Sequence, residues 1–88
     1  MKHSVALSDE AKKRLLRMDG PLRGRVIRRL RQLADDPGDP RLSSPLRERP
    51  GVRKSRVGDW RILFTVDREA RVIYVATIDT RGQVFRHS

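Results

Sequence analysis

The chain has 88 residues, enough for one domain (1–88) with a thin core, and no second domain. Its 21 Lys and Arg against 11 Asp and Glu give a formal net charge of +10, which favours nucleic acid, an acidic protein or an anionic membrane as partner. The absence of cysteine excludes disulfides, zinc–thiolate sites and cysteine nucleophiles, and makes a reducing cytoplasm the expected location.

His3 to Leu7 reads as a short strand. Ser8 is a natural helix N-cap, and Asp9 and Glu10 sit where the helix dipole favours acids. Ala11, Leu15 and Met18 follow at helical spacing, with Leu16 beside them, and Gly20-Pro21 is expected to end the helix. A second helix is predicted from about Leu22 to Asp36. Its apolar stripe is Leu22, Val26, Ile27, Leu30, Leu33 and Ala34; Arg25, Arg28, Arg29, Arg31 and Gln32 line the opposite side. Residues 37–51 hold Pro37, Gly38, Pro40, Pro45, Pro50 and Gly51 and read as a loop, with at most one short ordered piece around Leu46. The period then changes to that of strands: Val52–Val57, Trp60–Val66, Val72–Ile78 and a last short one at about Gln83–Arg86. The predicted fold class is α+β, with the N-terminal strand and a helical hairpin packed on one face of a mostly antiparallel sheet of four or five strands. No run approaches a membrane span and none suits a signal peptide, so no membrane partner is expected.

The charge is spread over the whole chain: 10 cations and 6 acids in residues 1–40, 11 and 5 in residues 41–88. The folded body is therefore basic, not a tail. The densest functional pattern is Lys54-Ser55-Arg56-Val57-Gly58-Asp59-Trp60-Arg61-Ile62-Leu63-Phe64. Alternation puts Lys54 and Arg56 on one strand face. A Gly58-Asp59 turn would bring Arg61 beside them. Three converging cations suit a phosphate, since each donates charge-assisted hydrogen bonds. The plainer reading makes them solvated strand charges that limit edge-to-edge aggregation. Trp60 shares its register with Ile62 and Phe64 and is assigned to the core. Tyr74, in register with Val72 and Ala76, is expected to be structural, its hydroxyl near the sheet edge.

Cleavage of RNA needs little more than such a platform. The 2′-hydroxyl attacks the adjacent phosphorus, cations stabilise the developing charge, and protons move to and from the reacting oxygens. Neither a metal nor another cofactor is required, in keeping with the absence of a carboxylate cluster.

The residues Arg56-Val57-Gly58-Asp59-Trp60-Arg61-Ile62, the helix end Leu33-Ala34-Asp35-Asp36-Pro37, the Pro45-Leu46-Arg47 segment and the closing Ile78-Asp79-Thr80-Arg81-Gly82-Gln83-Val84-Phe85-Arg86 resemble the RelE/ParE superfamily of bacterial toxins over almost the whole chain. The resemblance implies a toxin silenced by a cognate antitoxin. On the RelE side it implies an endoribonuclease that cuts mRNA in the ribosome; on the ParE side, a non-enzymatic inhibitor of DNA gyrase. Operator DNA would be bound only through the antitoxin complex. By position, Lys54 and Arg56 match residues at the scissile phosphate. Arg61 matches the arginine that stabilises the transition state, and Arg81 one assigned to the leaving group or phosphate. Arg53, Phe85, Arg86 and His87 are secondary RNA-binding candidates. Two positions depart from the family pattern: Thr80 stands where His is common, and Phe85 where a closing Tyr is common. A phenyl ring stacks but moves no proton, so His87, or Lys54 beside its arginine neighbours, is the alternative base.

Overall fold

The chain opens with β1 (Ser4–Leu7) in the computed structural model, which describes residues 2–80. Ser8 follows and does two things. Its Oγ accepts the Ala11 N–H at 3.0 Å, capping α1 (Asp9–Arg17), and its hydroxyl donates to the Ala76 carbonyl at 2.7 Å, fastening the helix start to the sheet.

The helical hairpin turns earlier than the sequence suggests. Gly20-Pro21 does not end the first helix; it opens the second, α2 (Gly20–Asp35). Asp19 caps it, with Oδ1 accepting the Leu22 N–H at 2.8 Å. Proline fits a first turn because N–H groups there have no partner inside the helix. The end of α1 is closed from the other helix instead. Arg23 donates from Nε to the Leu15 carbonyl (3.0 Å) and from Nη2 to the carbonyls of Leu16 (2.9 Å) and Met18 (2.7 Å). These are the orphan acceptors of a helix C-terminus, where a cation also complements the dipole.

The remaining strands are β2 (Ser44–Pro45), β3 (Arg53–Val57), β4 (Trp60–Asp67) and β5 (Val72–Thr80). The sheet order is β1-β5-β4-β3-β2, with β1 parallel to β5 and the other pairs antiparallel. The hairpin of helices carries the chain from β1 at one edge to β2 at the other, and the antiparallel run β2 to β5 brings it back beside β1, parallel to it. The fifth described strand is β2, inside the Pro-rich segment, one position before Leu46; the strand predicted at Gln83–Arg86 lies outside the described residues.

One irregularity aligns the core. β5 buries Ile73, Val75 and Ile78, and strict alternation would send Ile78 to the face opposite Val75. The ladder slips once between Leu63 and Phe64: Leu63 pairs with Thr77, but Phe64 pairs with Val75, leaving Ala76 as the extra residue. Ile62, Phe64, Ile73, Val75 and Ile78 then join Val57 on one face, against Ala11, Leu15, Val26, Leu30 and Leu33 of the helices. Trp60 and Leu22 pack at the margin of this core, so Trp60 is packing material as expected.

Residues 37–51 are tied to the body of the domain by hydrogen bonds. Ser43 donates to the Pro37 carbonyl (2.6 Å), Arg53 donates to Ser43 Oγ (3.0 Å), and Ser55, only 1% exposed, donates to the Leu42 carbonyl (2.7 Å). No helix is long and apolar enough to cross a membrane.

Candidate nucleic-acid interface

The two-residue turn of the β3–β4 hairpin, Gly58-Asp59, fixes which cations meet. Gly58 has φ of +61°, and Asp59 is not among the residues with positive φ. A positive φ at the first central position alone is the sign pattern of a type II′ turn, whose twist suits a hairpin. The resulting register places Arg56 directly opposite Arg61 and Lys54 opposite Leu63. Ser55 and Val57 point into the buried layer, so Lys54, Arg56 and Arg61 all belong to the face the helices leave open. Directly opposed Cβ atoms lie about 5 Å apart and diagonal ones about 7–8 Å, so Arg56 and Lys54 both flank Arg61 at these spacings. The hairpin register expected from sequence is present.

Electrostatically the pair is unusual. Like charges directly across a ladder are destabilising. The residue opposite Arg61 on its other side is Asp79, but that carboxylate is engaged elsewhere: Oδ1 accepts the Thr80 N–H at 2.9 Å and lies 3.6 Å from Arg14 Nη1. Arg61 Nε is buried with no hydrogen-bond partner among the described residues. A buried donor without a partner is costly. Among the described residues, Lys54, Arg56 and Arg61 form no ion pair with a carboxylate.

The basic character continues around the β3 edge onto α2. One hollow of about 240 Å³ is lined by Arg29, Arg41, Leu42, Ser44, Lys54 and Arg56 among others, and a second of about 260 Å³ by Arg25, Arg28, Arg29, Gln32, Arg56 and Gly58. They share Arg29 and Arg56, and neither wall contains a carboxylate. Arg29 anchors the junction: its Nη1 donates to Ser55 Oγ (2.9 Å) and to the Arg56 carbonyl (2.6 Å). Arg25 reaches over the turn, its guanidinium nitrogens 3.5 and 3.8 Å from where a Cβ on Gly58 would lie. Arg41 belongs to this rim but is paired with Asp39 at 2.9 Å, and its hydrogen bond holds the Asp39 carboxyl below its ordinary value.

The basic face of α2 is visible as a helical stripe in the sequence; that it abuts β3 is not. Of the secondary candidates, Arg53 donates to Ser43 Oγ and, at 3.3 Å, to its carbonyl, which makes it a tie for the 37–51 segment. Arg81, Phe85, Arg86 and His87 lie outside the described residues. His3 sits at the other end of the molecule's order, just before β1, with Nδ1 3.2 Å from the Ala34 carbonyl. Tyr74 differs from expectation: it is 48% exposed on the open face, not tucked at an edge. No three His, Asp or Glu side chains among the described residues cluster as metal ligands.

Solved toxin–antitoxin complexes share this architecture. The chain is similar to the toxin–antitoxin complex RelBE2 of Mycobacterium tuberculosis (24% identity, 92% of this chain and 100% of that one, TM-score 0.77). It is also similar to the archaeal RelE–RelB complex of Pyrococcus horikoshii (20%, 94% and 99%, 0.78). A third is the intact E. coli RelBE complex (18%, 89% and 95%, 0.78). At these identities the likeness is one of fold. No curated protein matches the sequence. The family model described as the ParE toxin of the type II toxin–antitoxin system, parDE, matches residues 5–85, nearly the whole chain. The strand, helical hairpin and mixed sheet, together with this match, make the chain a type II toxin of the ParE toxin family, within the RelE/ParE superfamily.

Proposed function

We propose that this toxin is a ribosome-dependent mRNA endoribonuclease that needs no metal, and that the open sheet face is its active surface. The observation that carries the reading is the opposed Arg56–Arg61 pair with Lys54 diagonal to it and Arg61 Nε buried without a partner among the described residues. A scissile phosphate relieves the repulsion, and a shift of the Arg61 side chain would present the orphan N–H to it. As the 2′-oxygen attacks, negative charge grows on the nonbridging oxygens, and donors already aimed there stabilise the transition state more than the ground state. The P–O5′ bond then breaks, leaving a 2′,3′-cyclic phosphate and a 5′-hydroxyl. The 2′-hydroxyl gives up its proton and O5′ receives one. In this scheme Arg61 holds the phosphorane-like state, Lys54 and Arg56 flank it, Arg81 serves the leaving group, and His87 is the imidazole for proton transfer.

The ribosome would present the mRNA and supply much of the positioning, which a shallow face of this kind requires. The basic α2 groove would grip ribosomal RNA phosphates. The cognate antitoxin, RelB-type in the structural relatives, would cover these cations with an acidic or amphipathic segment, and operator DNA would be reached through that complex. The toxin would act in the cytoplasm.

Primer extension after brief induction tests this. Cuts within codons of translated messages are expected from the natural chain. Arg61→Ala should reduce them about a hundredfold or more while the domain stays folded.

The gyrase reading is favoured by one finding: the matching family model is that of ParE. Growth arrest with uncut messages and a DNA-damage response would establish it and turn the cation cluster into a binding surface.

A further inference from the structure

We propose that Tyr74 is a stacking platform for an RNA base, set on the same sheet face as the cations and about two nucleotides away from them. The inference rests on the nuclease reading above.

Tyr74 is the exposed aromatic residue of the described surface; Phe64 is fully buried and Trp60 packs against the core. Its neighbours on the ladder are Ala6 on β1 and Thr65 on β4, and Val72 and Ala76 lie two positions away along β5. None of these reaches as high as a phenol ring, so a flat face stands clear of the sheet. Its hydroxyl makes no hydrogen bond among the described residues. The ring is half-exposed on β5, a strand paired on both sides, by β1 and β4.

Its placement gives the ligand. Ile73 and Val75 face the core, so Tyr74 shares the open face with Arg61. Thr65, its partner on β4, is four residues beyond Arg61, about 13 Å at strand rise. Sheet-face aromatics of RNA-binding modules stack two or three bases. The surface near Tyr74 also changes sign: the adjoining depression is lined by Thr65, Asp67, Glu69 and Arg68. Carboxylates repel a phosphate but accept from the amino group of a base. The face thus reads as a track, phosphate at the cations and base at Tyr74.

Ribosomes programmed with a synthetic mRNA test the assignment. The attacking 2′-hydroxyl is replaced by hydrogen to prevent cleavage, and 2-aminopurine is placed in turn at each of the three nucleotides on either side of the cut. The natural chain and Tyr74→Phe are expected to quench one position, and Tyr74→Leu to quench none. On cleavable mRNA, Tyr74→Leu should raise KM about tenfold or more with kcat little changed, and Tyr74→Phe should match the natural chain. Coincident melting curves show that the variants fold. Equal quenching and equal KM for Tyr74→Leu would overturn the proposal. So would a loss confined to antitoxin affinity, which would make this a protein-binding face. A natural chain that, like Arg61→Ala, leaves every message uncut would refute the nuclease reading itself and this inference with it.

Discussion

Ser55→Ala removes one hydroxyl from the point where α2, β3 and the 37–51 segment meet. Ser55 is 1% exposed, donates to the Leu42 carbonyl at 2.7 Å and accepts from Arg29 Nη1 at 2.9 Å. The neutral bond contributes about 1 kcal/mol and the bond from the guanidinium about 1.5–3 kcal/mol. Arg29 keeps the Arg56 carbonyl and Gln32 and borders a surface hollow, so its loss belongs at the low end. The sum is about 2.5 kcal/mol. In a domain of this size that corresponds to a fall in Tm of about 10–20 °C. Thermal unfolding followed by Trp60 fluorescence measures it, since Trp60 packs at the core margin. A double-mutant cycle with Arg29→Ala should return a coupling of about 1 kcal/mol or more, because the two side chains share a bond. A Tm within about 2 °C of the natural chain, or a coupling near zero, would refute the view that this junction is a structural staple. The cations at Lys54, Arg56 and Arg61 stay in register in this variant, so its defect should be one of stability and not of cleavage at low temperature.

Two further outcomes follow from the geometry. Arg23→Ala removes a donor from three carbonyls at the end of α1; Leu15 keeps the Met18 N–H at 3.3 Å and water can replace the guanidinium at the exposed ones; a loss of about 1–2 kcal/mol in urea unfolding, with an unchanged slope, is expected. The pair Arg25→Ala and Arg28→Ala should weaken ribosome association and lower the salt slope of binding by about 2, while leaving the melting temperature nearly unchanged.

Why the helices and strands lie where they do was largely readable from local chemistry. Ser8 caps because its oxygen reaches the Ala11 N–H, and the stripe Val26, Leu30, Leu33 buries because a helix returns to the same face every three to four residues. The Gly20-Pro21 pair misled because proline stops a helix that precedes it and starts one that follows, and only the Asp19 cap distinguishes the two. Pro45 hid β2 for a related reason. A proline is tolerated on an edge strand, where its missing N–H is not needed, but in sequence it reads as a breaker.

For the candidate site, the hairpin of Lys54, Arg56 and Arg61 was set by sequence alone, because strand alternation and a two-residue turn leave one register. Long-range placement was not. That Asp79 is held by Arg14 and so leaves Arg61 unneutralised, and that Arg25, Arg28 and Arg29 extend the cations around the β3 edge, depend on which helix face meets which strand. Tyr74 owes its exposure to the same level of organisation. Its alternation with Val72 and Ala76 says only that the three share a face; that this face meets solvent at Tyr74 goes with the helices packing on the other side of the sheet. Periodicity fixes which residues travel together, whereas solvent and charge neighbours are decided by contacts between segments far apart in the chain.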